Sequence, residues 1–139
     1  MQGGLDMEKK LKHLEMIQNI INRMANNSFL LKGWSVTLVA GIFALSNKEA
    51  DKIYFLVAYI PVLVFWGLDS YYLFQERLYR SLFDKIRGED ENAIDFSLKA
   101  SLSDFSSEKN GYWNCVCSKT ELWFYLPLAL TILLVIWLI

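Results

Sequence analysis

The chain has 139 residues, of which 54% are hydrophobic and 15% aromatic, and its formal net charge is -1. That charge balance gives no polyanion-binding surface, so no nucleic-acid partner is expected. The apolar residues are gathered into three blocks rather than spread along the chain, which points to membrane-crossing helices instead of a water-soluble core.

Met1 to Asp6 carries no helical pattern and is expected to be disordered. From Met7 the pattern is helical. Leu14, Ile17, Ile21, Met24, Ser28, Leu31, Ser35, Leu38, Ile42 and Leu45 follow an alternating three- and four-residue spacing, which is a heptad seam. No proline interrupts it, and Gly33 and Gly41 are its only weak points. One helix is therefore predicted from Met7 to Ser46, roughly 60 Å long. Residues 1–28 form an amphipathic extension, charged and without the short apolar run of a cleavable signal. The apolar part begins at Phe29, and residues 29–74 read as a transmembrane hairpin.

The first span, Phe29 to Ser46, is at the short end of what a bilayer requires. Lys32 lies near its start. Asn47 to Lys52 (NKEADK) is a polar turn, and the second span runs from Ile53 to about Phe74, with a kink expected at Pro61. Residues 75–121 begin as a second amphipathic helix, Gln75 to Arg87, which ends at Gly88 before the acidic run Glu89-Asp90-Glu91. Gly88 to Thr120 reads as a loop docked on the extensions, or a short strand around Ile94, Phe96, Leu98 and Leu102. Residues 122–139 are an uncharged third span. Its terminal carboxylate is expected at the far interface, because a charge in hydrocarbon is costly. The fold class is thus all-α, with three transmembrane helices and amphipathic cytoplasmic extensions.

Basic residues set the expected orientation. Four precede the first span (Lys9, Lys10, Lys12, Arg23) and seven lie between spans two and three, against only Lys48 and Lys52 in the hairpin turn. This places the N-terminus and the long loop in the cytoplasm, and the turn and C-terminus outside. Cys115 and Cys117 are too close for an ordinary disulfide and are expected as free thiols in a reducing cytoplasm.

Lys32 and Asp69 are the most informative polar residues. Counted from the middle of the hairpin they differ in depth by about three residues, or roughly 4.5 Å, which a lysine side chain covers. Two readings follow. The pair can be a structural bridge at the inner interface, or a charged ring at the mouth of an oligomeric pore. Ser28, Ser35 and Thr37 add small polar groups on the same span, suited to close helix packing or to a narrow lining. The asparagines Asn19, Asn22, Asn26 and Asn27 read as a solvated face. His13, the one histidine, is expected at the surface. Five tryptophans and neighbouring tyrosines fall mostly near the predicted interfaces, as aromatic belts do. No phosphate-binding loop, zinc-protease motif or nucleophile elbow is present, so no catalytic residue, cofactor or metal is assigned.

The stretch HLEMIQNIINRMANNSFLLKGWSVTLVAGIFAL, continued by PVLVFWGLDSYYLFQERLYRSLFD, resembles a group of small bacterial multi-helix membrane proteins of unassigned activity. Some of these occur beside phage-defence genes as membrane effectors. The resemblance covers about half the chain and implies an oligomeric protein of the bacterial inner membrane. It transfers no residue role. Two functions are carried forward. One is a homo-oligomeric channel or membrane-disrupting effector gated from its cytoplasmic side. The other is a non-conducting anchor for a cytoplasmic protein partner. The apolar middle of spans one and two counts against a permanently open pore but permits a closed, hydrophobically gated one.

Overall fold

The computed structural model describes residues 2–46 and 51–138. Its first element, α1, is a single helix over Gln2–Ala44, roughly 65 Å long. It starts before Met7, so the expectation of a disordered N-terminus is corrected. Residues 2–6 lack an apolar stripe, but Asp6 and Lys9 pair one turn apart at 3.0 Å, and the helix runs back through them. The expected hairpin turn at Asn47–Lys52 lies mostly outside the described residues.

The return limb is broken in two. A short helix, α2, spans Lys52–Leu56, and α3 spans Tyr59–Gly88. The sequence called for a kink at Pro61, and the break falls just before it, at Val57 and Ala58. Proline has no N–H to give to the carbonyl four residues back, which is that of Val57. That carbonyl instead accepts from the Ile60 N–H at 3.1 Å. Beyond the break α3 is continuous through the apolar stretch and the amphipathic one, and Gly88 ends it as expected.

Residues 89–111 contain two short 3₁₀ turns, Glu91–Ala93 and Glu108–Asn110, joined by irregular chain. No strand forms among the described residues. A one-turn helix, α4 (Tyr112–Val116), leads into α5 (Lys119–Leu138), which begins three residues earlier than the third predicted span. Within the described residues the chain is all-helical, and three helical segments are long and apolar enough to cross a membrane: α1, the α2–α3 limb and α5.

The seam on α1 is used inside the chain. Ile17 and Ile21 pack against Leu82 and Ile86 of α3, with Leu14, Tyr79 and Phe83 around them. Here α1 and α3 form a two-helix stalk. Farther along, the buried position on α1 moves off the strict heptad. Ser35 is buried, but Leu38 is 42% exposed, and Val39 takes the core position beside Val62, Tyr125 and Ile132. A straight α-helix drifts by about 20° per heptad, so over the stretch from Leu14 to Leu38 the seam turns by roughly 70°, most of the angle between adjacent residues.

The irregular segment acts as a strap over the stalk. Ile94, Leu98, Ala100 and Phe105 cover the Ile17–Leu82 cluster. Phe96 adopts a positive φ of 56°, uncommon for a bulky residue. That turn brings its ring to 5.5 Å from the ring of His13. His13 is therefore not a surface residue as expected. It is fully buried, and its Nε2 lies 2.9 Å from the Ser97 carbonyl oxygen. Lys10 Nζ donates to the Glu89 carbonyl at 2.6 Å, and the Asn110 amide donates to both Ser81 Oγ and the Phe105 carbonyl. The strap is tied down at both ends.

Ile17 has no exposed surface in this arrangement. Ile17→Ala removes three carbons from a site closed by two helices and the strap, and should cost about 2–5 kcal/mol. Chemical denaturation should show that loss. Hydrogen exchange should localise it to residues 94–105 as well as to the stalk, and unchanged exchange in the strap would contradict the packing described here.

Candidate functional site

Between the stalk core and the core of the apolar segments lies a layer of buried polar groups. It forms because three helices enter their apolar stretches at the same level. α1 brings Lys32, one turn after Ser28. α3 runs the opposite way and brings Asp69 and Ser70. α5 starts here and brings Glu121 in its first turn, with Tyr125 one turn on, on the same face.

The Lys32 ammonium is the hub. It bonds to Asp69 Oδ2, to Glu121 Oε1 at 3.1 Å and to Ser28 Oγ at 3.1 Å. Its three donors are thereby used. Asp69 is completely buried and Glu121 is 1% exposed, while the lysine side chain retains 16%. The Tyr125 hydroxyl donates to Asp69 Oδ2 at 3.0 Å. Trp66 stacks on the Tyr125 ring at 5.8 Å with nearly parallel planes. Lys32 Nζ also lies 5.8 Å from the ring centres of both Phe124 and Tyr125, within cation–π range. Ser70 is absorbed by its own helix through a bond to the Trp66 carbonyl at 2.7 Å.

Of the polar residues singled out from sequence, four gather here. Lys32 and Asp69 pair directly, Ser28 accepts from Lys32, and Ser35 is buried beside them with its hydroxyl unpartnered. Thr37 does not join. It is exposed on another face of α1 and its hydroxyl donates to the Gly33 carbonyl at 2.9 Å. Serines and threonine therefore do not form one continuous polar line along the first span. The middle of the apolar segments is closed by Val39, Val62 and Ile132.

Glu121 and Tyr125 were missed by sequence reasoning. From sequence alone Glu121 reads as the end of the loop, because it precedes the uncharged run. The usable signal was positional: an acid at the mouth of a third span must sit at the same depth as Lys32 and Asp69, and Tyr125 follows it at the i,i+4 spacing that shares a helix face. Among the described residues no group of three or more His, Cys, Asp or Glu is placed to hold a metal.

No family model matches the chain, and no curated protein or solved structure is similar to it. The site must therefore be read from its own geometry.

α4 closes the layer from the side. Tyr112 donates to the Gly67 carbonyl at 3.1 Å, and the Trp66 indole donates to the Val116 carbonyl at 3.1 Å. Both bonds hold α4 against α3 and leave Trp113 outward at 75% exposure. Cys115 points inward and is fully buried, whereas Cys117 is exposed. The two free cysteines thus sit in unlike surroundings. Burial pushes the Cys115 thiol above the usual range, with the nearby Arg77 guanidinium partly opposing the shift. Fewer thiolates form, so reactivity falls further. A maleimide at neutral pH should label Cys117 alone in the folded protein, with Cys115 reacting only after denaturation. Equal labelling rates would refute this packing.

The same geometry ranks substitutions in the ionic layer. Lys32→Leu leaves two buried carboxyls without a cation and should be the worst single change, at about 3–5 kcal/mol. Asp69→Leu or Glu121→Leu leaves Lys32 with one partner and should cost less. A Lys32–Asp69 pair alone would let the double Leu variant recover most of the loss. Here Glu121 remains stranded, so recovery should require the triple Leu variant. Thermal unfolding in detergent measures the series, and full recovery in the double variant would exclude Glu121 from the layer.

Proposed function

We propose that the chain is a homo-oligomeric effector or channel of the bacterial inner membrane, closed in this conformation and controlled from a cytoplasmic stalk, with a role in phage defence. The observation that carries this reading is the position of the Lys32–Asp69–Glu121 layer. It joins all three apolar helices at the level where the stalk ends, so a movement of the stalk or its strap reaches every span through one set of bonds. The excess of basic residues on the stalk side supports a cytoplasmic stalk.

The argument for self-association differs from the one the sequence offered. The heptad seam is consumed between α1 and α3, so it does not call for a second copy. What supports assembly are apolar residues off the seam. Leu5, Met7 and Leu11 are exposed on the stalk, beyond the apolar stretch, at 56%, 44% and 59%. Lipid cannot cover residues at that height, and a neighbouring stalk can.

A second reading is a non-conducting anchor whose stalk docks a cytoplasmic protein. The apolar closure around Val39, Val62 and Ile132 favours it. The two separate on mass and conductance in nanodiscs and liposomes. The effector reading expects a defined oligomer, and conductance that rises when the strap is loosened, as by Phe105→Ala. A monomer removes that reading, and an oligomer silent in every variant leaves the anchor. A reporter after Asn92 should read cytoplasmic, and the opposite result would overturn the orientation.

A further inference from the structure

Two apolar grooves open outward from the spans. The first, of about 380 Å³, lies on α1 and is lined by Phe29, Leu30, Gly33, Trp34 and Thr37. At roughly 100° per residue it faces away from Ser35 and Val39, the buried line of that helix. Gly33 is its floor, and nothing stands within 4 Å of the place a Cβ would take there. The second, of about 210 Å³, lies on α5 and is lined by Leu122, Trp123, Leu126, Pro127 and Leu130. It faces away from the buried Glu121, Tyr125 and Ile132.

The two grooves share a depth. Lys32 and Glu121 are bonded and so stand at one level, and both helices run from it toward the core around Val39 and Ile132. Trp34 is two residues beyond Lys32, and Trp123 is two residues beyond Glu121. Their depths therefore agree to within a helical turn.

The groove on α5 also holds a backbone acceptor without its helical donor. Pro127 lies inside α5 and has no N–H, so the Trp123 carbonyl loses the bond it would receive from that position. Thr131, one turn on, sends its hydroxyl to the Pro127 carbonyl instead. Trp123 and Pro127 are both exposed, which puts the freed carbonyl on the outward face. Hydrocarbon offers it no donor. The groove on α1 has one to give, the indole N–H of the exposed Trp34.

We propose that the two grooves are the halves of one interface between copies of this chain. The Trp34 indole of one copy enters the α5 groove of the next and donates to the Trp123 carbonyl, while that neighbour's Trp123 ring fills the α1 groove over Gly33. Copies in one bilayer are related by rotation about the membrane normal, which keeps every residue at its own depth, so Trp34 meets Trp123 without sliding. The two surfaces differ, so the contact is head-to-tail and its repetition closes a ring. The proposal rests on the oligomeric reading above and adds which faces meet.

Disulfide trapping with an added oxidant tests the pairing on full-length chains carrying Cys115→Ala and Cys117→Ser. Two differently tagged populations are co-expressed in one membrane, one with Thr37→Cys and one with Leu126→Cys. The expected product is the mixed dimer, with neither same-position dimer. Trp34→Phe keeps a ring and removes the N–H, and should weaken assembly in nanodiscs roughly three- to tenfold. Pro127→Ala restores the N–H within α5, so Trp34→Phe should cost little in that background. Trapping of Thr37→Cys with itself and not with Leu126→Cys would show a twofold pair of α1 helices and overturn the proposal. An oligomer by mass with neither crosslink would overturn it too, leaving lipid in both grooves and the oligomeric reading intact, whereas a monomer removes both. An equal cost of Trp34→Phe with and without Pro127→Ala would overturn the pairing of Trp34 with Trp123.

Discussion

One lysine answering two buried carboxyls is the constraint on which this structure depends. Helices α1, α3 and α5 share few other directional contacts. Their apolar faces can pack against one another in several registers at similar energy, because side chains such as leucine and valine interact with lipid much as they do with each other. A charged group has no such freedom. Lys32 satisfied by Asp69, Glu121 and Ser28 fixes the relative height of three helices at once. Aromatic groups then seal the layer. Tyr125 occupies a lone pair of Asp69, and Trp66 covers Tyr125 while reaching α4 with its indole N–H.

On either side of that layer lies an apolar cluster of a different kind. The stalk cluster of Ile17, Ile21, Leu82 and Ile86 is small and has water beyond it, so the strap completes it. That explains why an irregular segment is held down so thoroughly, with a buried histidine and lysine and asparagine bonds to its backbone. The cluster of Val39, Ala58, Val62, Tyr125 and Ile132 needs no such cover where the helices are apolar all round. Stalk and spans are thus two packing systems on the same two helices, and α5 meets them at its first turn.

Much of this was legible in the sequence, for physical reasons that can be named. The long α1, the return limb continuing past the apolar stretch, and a third apolar helix all follow from hydropathy and from the absence of breakers. Lys32 and Asp69 were legible as partners because a hairpin relates depth to residue number. Three things were not legible. His13 is polar and looks solvent-facing, and only the strap, whose path has no periodicity, buries it. Glu121 belongs to a helix outside the hairpin, so counting from the turn does not reach it. The use of the seam within the chain was hidden as well, since a heptad pattern is satisfied equally by a neighbouring segment or by another copy.

The ionic layer also raises the question of why it is ionic. Replacing a buried charge cluster by well-packed apolar residues is often neutral or stabilising, by about 1–4 kcal/mol. Stability alone is then a weak reason for Lys32, Asp69 and Glu121. What an apolar layer lacks is a unique register. Leucines at these positions would tolerate sliding of α5 along α1 and α3. They would also make the contact indifferent to the stalk's position. The ionic layer makes that contact all-or-none, because shifting one helix by a turn strands a charge instead of trading one apolar neighbour for another. The function proposed above, in which the stalk acts on the spans, needs a joint of that kind, stiff in one arrangement and costly in every intermediate one. The level of Lys32, at the end of the stalk, is where such a joint has the most leverage.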